Sequence, residues 1–184
     1  MHANQLVKAA NRVLGPERYR FWHAFLFWLL ANGASGVAAG RRREDRRYYE
    51  EMEQAPFAPP GWVFVPVWAL NNVSVLWGNL RLLNDREVPH RKALLWLQGA
   101  GWLLYAAFGY VYFRKRSPIL ALADTAAFWV LTVVSVSLSL RGGRRDLALS
   151  QGTLLAWLTL ATPTAAYQAA KNPDELFGTP PWRR

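Results

Sequence analysis

Charge in this chain gathers in short blocks, and five stretches of about twenty residues between those blocks are almost bare of it. Residues 21–40, 61–80, 93–113 and 147–170 carry no Lys, Arg, Asp or Glu, and 117–140 carries only Asp124. A soluble helix needs a wet, charged face. A helix in a bilayer cannot carry one, because a charge at the bilayer centre costs at least about 2.5–3.5 kcal/mol. About 20 apolar residues in a helix cross roughly 30 Å of hydrocarbon and satisfy every backbone polar group within the segment. A strand would need about half that length. The chain therefore reads as all-α, an integral membrane bundle of five transmembrane helices, although its mean hydropathy is only −0.02.

The connectors are short and charged, which forces antiparallel neighbours and an up-down bundle. They are a mixed-charge loop over 41–53, a link over 81–92, a tight Arg114-Lys115-Arg116 turn, and 141–146 with Gly142-Gly143. Ahead of the spans, residues 1–20 place Leu6, Ala10, Val13 and Leu14 at helical spacing, with Lys8 and Arg12 elsewhere on the wheel. This is the pattern of a basic amphipathic segment lying on the membrane. Residues 171–184 form a polar tail in which Pro173, Pro180 and Pro181 forbid a long helix. The net charge of +10 fits attraction to anionic lipid headgroups, and no nucleic-acid partner is expected. Lys and Arg divide equally between the two sides of the bundle, so they assign no orientation. The expected location is a membrane crossed several times, of the bacterial inner-membrane type.

The 56–68 stretch, Pro-Phe-Ala-Pro-Pro-Gly-Trp-Val-Phe-Val-Pro-Val-Trp, is the most specific segment. Pro59-Pro60 fixes an extended approach, Gly61 permits a sharp turn, and Trp62 sits at interface depth. Pro66 lies within the span, removes a backbone hydrogen bond and predicts a kink. Trp62 and Trp68 are six apart and cannot share a helix face. Asn71 and Asn72 fall mid-span and must find partners, either on a neighbouring helix, Gln98 being one candidate, or in a cavity. Asp124 is either a functional intramembrane acid or an interfacial one, paired with the 114–116 cations or capping the turn at Thr125. Gly33 and the small residues of 36–40 let span one approach another helix, within the bundle or across a dimer seam. The 10 Trp suit membrane interfaces and the walls of cavities for flat apolar ligands.

The 56–68 segment resembles that of the TspO/MBR family, whose pattern runs Lys-Pro, a Trp, Pro-Pro, a Trp and Pro-Val-Trp before a Leu-Tyr pair. Pro56, Pro59, Pro60, Trp62, Pro66, Val67 and Trp68 match it. Arg47-Tyr48-Tyr49 is similar to the family's Arg-Trp-Tyr, and Gln98, Asp124, Ala156-Trp157 and Ala161 fall at its Gln, its acid, its Ala-Trp and its small residue. The departures are Phe57 for Trp, Asn71-Asn72 for Leu-Tyr, Trp102 for Asn, Tyr105 for Trp, Thr153-Leu154 for Pro-Tyr and Ala165 for Asn. Many of these positions line the family's cavity, so the chain reads as a divergent member.

The resemblance implies a five-helix bundle, often dimeric, with a cavity closed by the loop after the first helix. It further implies a flat hydrophobic ligand: a tetrapyrrole such as a porphyrin, a sterol-like lipid or a pigment such as a carotenoid. The expected ligand residues are Trp62, Trp68, Asn72, Gln98, Trp102, Trp157 and Ala161, framed by Pro56, Pro59, Pro60 and Pro66. Asn72 bonded within the bundle would shrink the cavity and weaken porphyrin binding. The alternative is an accessory subunit of a larger membrane complex, with the cavity lost. With 0 Cys, scattered His and no Ser-His-Asp set, phosphate loop or dinucleotide motif, neither a metal site nor a catalytic centre is expected. Tetrapyrrole degradation stands as a minor possibility.

Overall fold

The computed structural model of the protein describes residues 16–39 and 42–182. The amphipathic reading of the first fifteen residues lies outside this range. Seven α-helices make up the described residues: α1 (Phe21–Ala39), α2 (Arg42–Glu51), α3 (Phe64–Asn84), α4 (Arg91–Gly109), α5 (Pro118–Arg141), α6 (Arg145–Ser150) and α7 (Gly152–Lys171). A 3₁₀ turn, Gly61–Val63, leads into α3, and a π turn, Tyr110–Arg114, extends α4. Three of the resulting helices, Gly61–Asn84, Arg91–Arg114 and Pro118–Arg141, are each long and apolar enough to cross a membrane. The central helix α5 packs on α7 and α4, α1 lies along α4, and α3 closes the bundle against α6, α7 and α1.

Local chemistry sets the element ends. Ser117 caps α5, its hydroxyl accepting from Leu120 N–H at 3.2 Å, and Pro118 occupies the first turn, where no N–H is needed. Arg91 ends α3 from outside, donating through Nε to Leu82 C=O at 3.0 Å and through Nη2 to Leu83 C=O at 3.1 Å. Gly78 lets α3 and α6 touch: a Cβ there would fall 2.6 Å from Ser150 Cβ. Ser74 Oγ donates to Ser150 C=O at 2.9 Å beside it.

Several expectations change. The segment expected as a loop over 41–53 is mostly helix α2, as its Arg and Glu content favours, with Arg47 Nε donating to Glu51 Oε1 at 2.6 Å one turn on. Gly61 makes no sharp turn; it opens the 3₁₀ helix that follows the extended Pro60. Pro66 is the third residue of α3, one turn after the 3₁₀ helix gives way to α, so the proline falls near the start of the 61–84 helix rather than at mid-span. The proline inside a helix is Pro163 in α7. Residues 147–170 are not one helix: Gln151 separates α6 from α7. Gly33 and Gly36 of α1 take no part in close packing among the described residues, since a Cβ at either would meet nothing within 4 Å.

Candidate functional site

Two hollows lie inside the bundle on either side of a cluster formed by Val75, Phe128, Leu154, Trp157 and Leu158. The first lies under the segment that joins α1 to α3. Tyr49 and Pro59 roof it, and its walls include Phe64, Phe108, Tyr112, Thr125, Trp157, Ala161 and Gln168. Its volume is about 50 Å³. Edge-to-face rings build it: Tyr49 on Phe64 with centroids 5.4 Å apart, and Phe64 on Trp157 at 5.2 Å. Tyr112 is buried at its base and donates to Gln168 Oε1 at 3.1 Å.

The roof is a strap pinned by polar contacts. Glu53 N–H donates to Asn172 Oδ1 at 2.7 Å, and Asn172 Nδ2 donates back to Glu53 C=O at 3.0 Å. Gln168 Nε2 donates to Gln54 Oε1 at 2.7 Å, and Tyr49 OH to Pro59 C=O at 2.8 Å. Behind these contacts, Asp174 fastens the tail. Burial alone would raise its carboxyl, but Ser117 Oγ at 2.6 Å and the N–H groups of Phe177, Ile119 and Leu176 at 3.0–3.1 Å hold it below its ordinary value. Burial pushes the nearby Tyr48 hydroxyl up to about 12.

The second hollow sits near the middle of the bundle, between α3, α4, α5 and the α6–α7 break. Trp68, Asn71, Asn72, Gln98, Trp102, Tyr105, Phe128, Ser135 and Gln151 are among its walls, and its volume is about 20 Å³. Polar bonds run through its edge. Asn72 Nδ2 donates to Tyr105 OH at 3.3 Å, and Tyr105 OH donates to Asn32 Oδ1 of α1 at 2.6 Å. Trp102 Nε1 donates to Asn79 Oδ1 at 2.9 Å, and Asn79 Nδ2 donates to Gln98 Oε1.

At the membrane end away from the strap, Arg144 binds Asp85 at 2.6 Å and Asp146 at 2.9 Å, and Arg81 binds Asp146 at 2.6 Å.

The residues expected to line one cavity are thus divided. Trp68, Asn72, Gln98 and Trp102 border the inner hollow, Trp157 and Ala161 border the one under the strap, and Trp62, 71% exposed, borders neither. Trp157 belongs to the apolar cluster and Trp68 packs against it, so the two border separate hollows. Pro59 reaches the roof, while Pro56, Pro60 and Pro66 shape the approach. Asp124 is half-buried on α5 and meets no partner among the described residues: Arg116 pairs with Glu175 at 3.1 Å, and Thr125 Oγ1 donates to Ala121 C=O. His23 accepts from Arg20 N–H at 2.9 Å and stacks on Trp22, a structural role. Sequence reasoning met Tyr49 only as part of the family pattern and passed over Gln54, Gln168, Asn172 and Asp174, whose partners lie up to 119 residues away. The acid and amides flanking the Pro-rich tail were the only signal.

Residues 24–169, most of the chain, match the sequence profile of the TspO/MBR family. No curated protein matches the chain.

Proposed function

Because the chain belongs to the TspO/MBR family, we propose that it binds a flat hydrophobic molecule, a tetrapyrrole, sterol-like lipid or pigment, in the aromatic hollow under the Tyr49–Pro59 strap, and that it serves transport, sensing or regulation rather than catalysis. In this reading five segments cross the bilayer: α1, α3, α4 with its π turn, α5, and α6 with α7. The 19 residues of α1 and the 20 of α7 reach about 30 Å each. The observation that carries the proposal is the strap itself. Aromatic rings face an apolar pocket, and the lid over it is held by amide and carboxylate bonds that can exchange with water at the interface. A ligand pocket usually measures about 300–1,000 Å³, so a hollow of about 50 Å³ is the closed form and binding must lift the strap. Asn72 is outside this pocket, bonded to Tyr105, and does not select its ligand.

The same small volume favours a second reading, an accessory subunit of a larger membrane complex whose cavity has closed for good. One titration separates the two. Protoporphyrin or a fluorescent sterol added to the purified protein should quench or sensitise Trp157 saturably, and Ala161→Trp, which fills the pocket, should weaken binding at least tenfold. Linear, non-saturable quenching by both probes, with a partner protein retained in mild detergent, would support the subunit reading instead.

A further inference from the structure

The inner hollow is walled by polar groups that the protein leaves unpaired. Asn71 is 1% exposed, and neither its Nδ2 nor its Oδ1 has a partner. Gln98 Nε2, Ser135 Oγ and Gln151 Nε2 are also unpaired, on side chains that are 7%, 2% and 3% exposed. These four side chains come from α3, α4, α5 and the α6–α7 junction, and all border one cavity. A buried amide left unmade costs about 1–3 kcal/mol. Four converging side chains with unmade bonds on a single hollow point to an occupant that makes them.

The chemistry narrows the occupant. No Lys, Arg, Asp or Glu lines the hollow, so an ion would have no countercharge there. A hard cation such as Ca²⁺ takes six or more oxygens, whereas the free acceptors are one amide oxygen and one hydroxyl. A purely apolar molecule would leave every amide unmade. The free groups are mixed: three amide nitrogens that donate, one amide oxygen that accepts, and a hydroxyl that does either. A hydroxyl-type oxygen meets both kinds at once. Size agrees, since one water needs about 10–15 Å³ and the hollow offers about 20 Å³.

Position agrees as well. Asn71 is the eleventh residue of the 61–84 helix, about 15 Å along it and so near its middle. Gln151 keeps right-handed helical dihedrals but interrupts the regular ladder between α6 and α7, its N–H bonding back to Ala148 C=O at 3.1 Å, and its side chain borders the same hollow. We propose that the inner hollow is a binding site for one or two small neutral hydroxyl-type oxygens, supplied by water or by the hydroxyl end of a membrane-soluble alcohol, and held by Asn71, Gln98, Ser135 and Gln151. The site is separate from the pocket under the strap and stands or falls without it.

Hydroxyl-radical footprinting of the full chain in detergent with short X-ray pulses tests this, because radicals arise at bound water and oxidise adjacent rings. Trp68, Trp102 and Tyr105 border the site. The expected result is that their oxidation falls several-fold in Asn71→Leu, and in the milder Ser135→Ala should the first not fold, while exposed Trp62 and Trp182 label as before. Adding 1-octanol separates the sources: protection of the wild-type rings by octanol but not by octane assigns the site to an alcohol, and no protection assigns it to water. Equal ring oxidation in wild type and both variants would overturn the proposal.

Discussion

At Gly78 the close approach of α3 and α6 rests on a missing side chain. A Cβ there would sit 2.6 Å from Ser150 Cβ and closer still to its Oγ. Gly78→Ala should therefore destabilise the protein in detergent by about 1–3 kcal/mol, read as a lower melting point, with partial recovery in Gly78→Ala/Ser150→Gly. An unchanged melting point would mean the helices can part without loss. Asp174 offers a pH-dependent case. Its pKa is below the ordinary value in the folded state, so its contribution is complete above that value and is lost as pH falls through the lowered one. The stability gap between wild type and Asp174→Asn should accordingly close as pH drops below about 4; a gap of constant size across that range would assign the residue no titrating role. The two kinds of residue differ in how far sequence reveals them. Asn71 and Asn72 announce a polar requirement by standing in an apolar span, but their surroundings depend on Tyr105, Asn32 and Gln151 from other helices. Asp174 announces nothing, because an acid in a polar tail is ordinary until Ser117 and Ile119 are folded against it.

Among the elements, hydropathy located the helices and misjudged their breaks. Charge blocks mark where a helix leaves the membrane, so the ends of α1, α3, α4 and α5 fall within a few residues of the apolar stretches. A backbone break inside an apolar stretch carries no such mark. Gln151 interrupts the last one with no Gly-Pro pair beside it, and α2 forms where charge alone suggested a loop. The two prolines should differ in effect. Pro66→Ala should change stability less than Pro163→Ala, because Pro66 stands near the start of its helix and Pro163 in the interior of α7. Pro163→Ala should let residue 163 donate to Thr159 C=O and stabilise the protein by at most about 3 kcal/mol, read as a higher melting point. A gain at Pro66 as large as that at Pro163 would restore the original expectation that Pro66 bends the span.

For the molecule as a whole, an all-helical membrane bundle of the TspO/MBR family was legible from charge spacing and the 56–68 segment, and residues 24–169 match that family. The division of the interior into two hollows was not, because it depends on how Trp68 packs against the cluster that contains Trp157. The five crossings proposed above require the termini on opposite sides, and reporters fused at either end should label from opposite compartments; labelling from one side would remove a span. The central claim is that the strap gates an apolar pocket. The chain has no cysteine, so a Gln54→Cys/Gln168→Cys pair can be bridged cleanly by a short bis-methanethiosulfonate and released by reductant. Protoporphyrin quenching should be lost in the bridged protein and return on reduction, whereas equal, saturable quenching in both states would show that the ligand enters without moving the strap and would contradict the account.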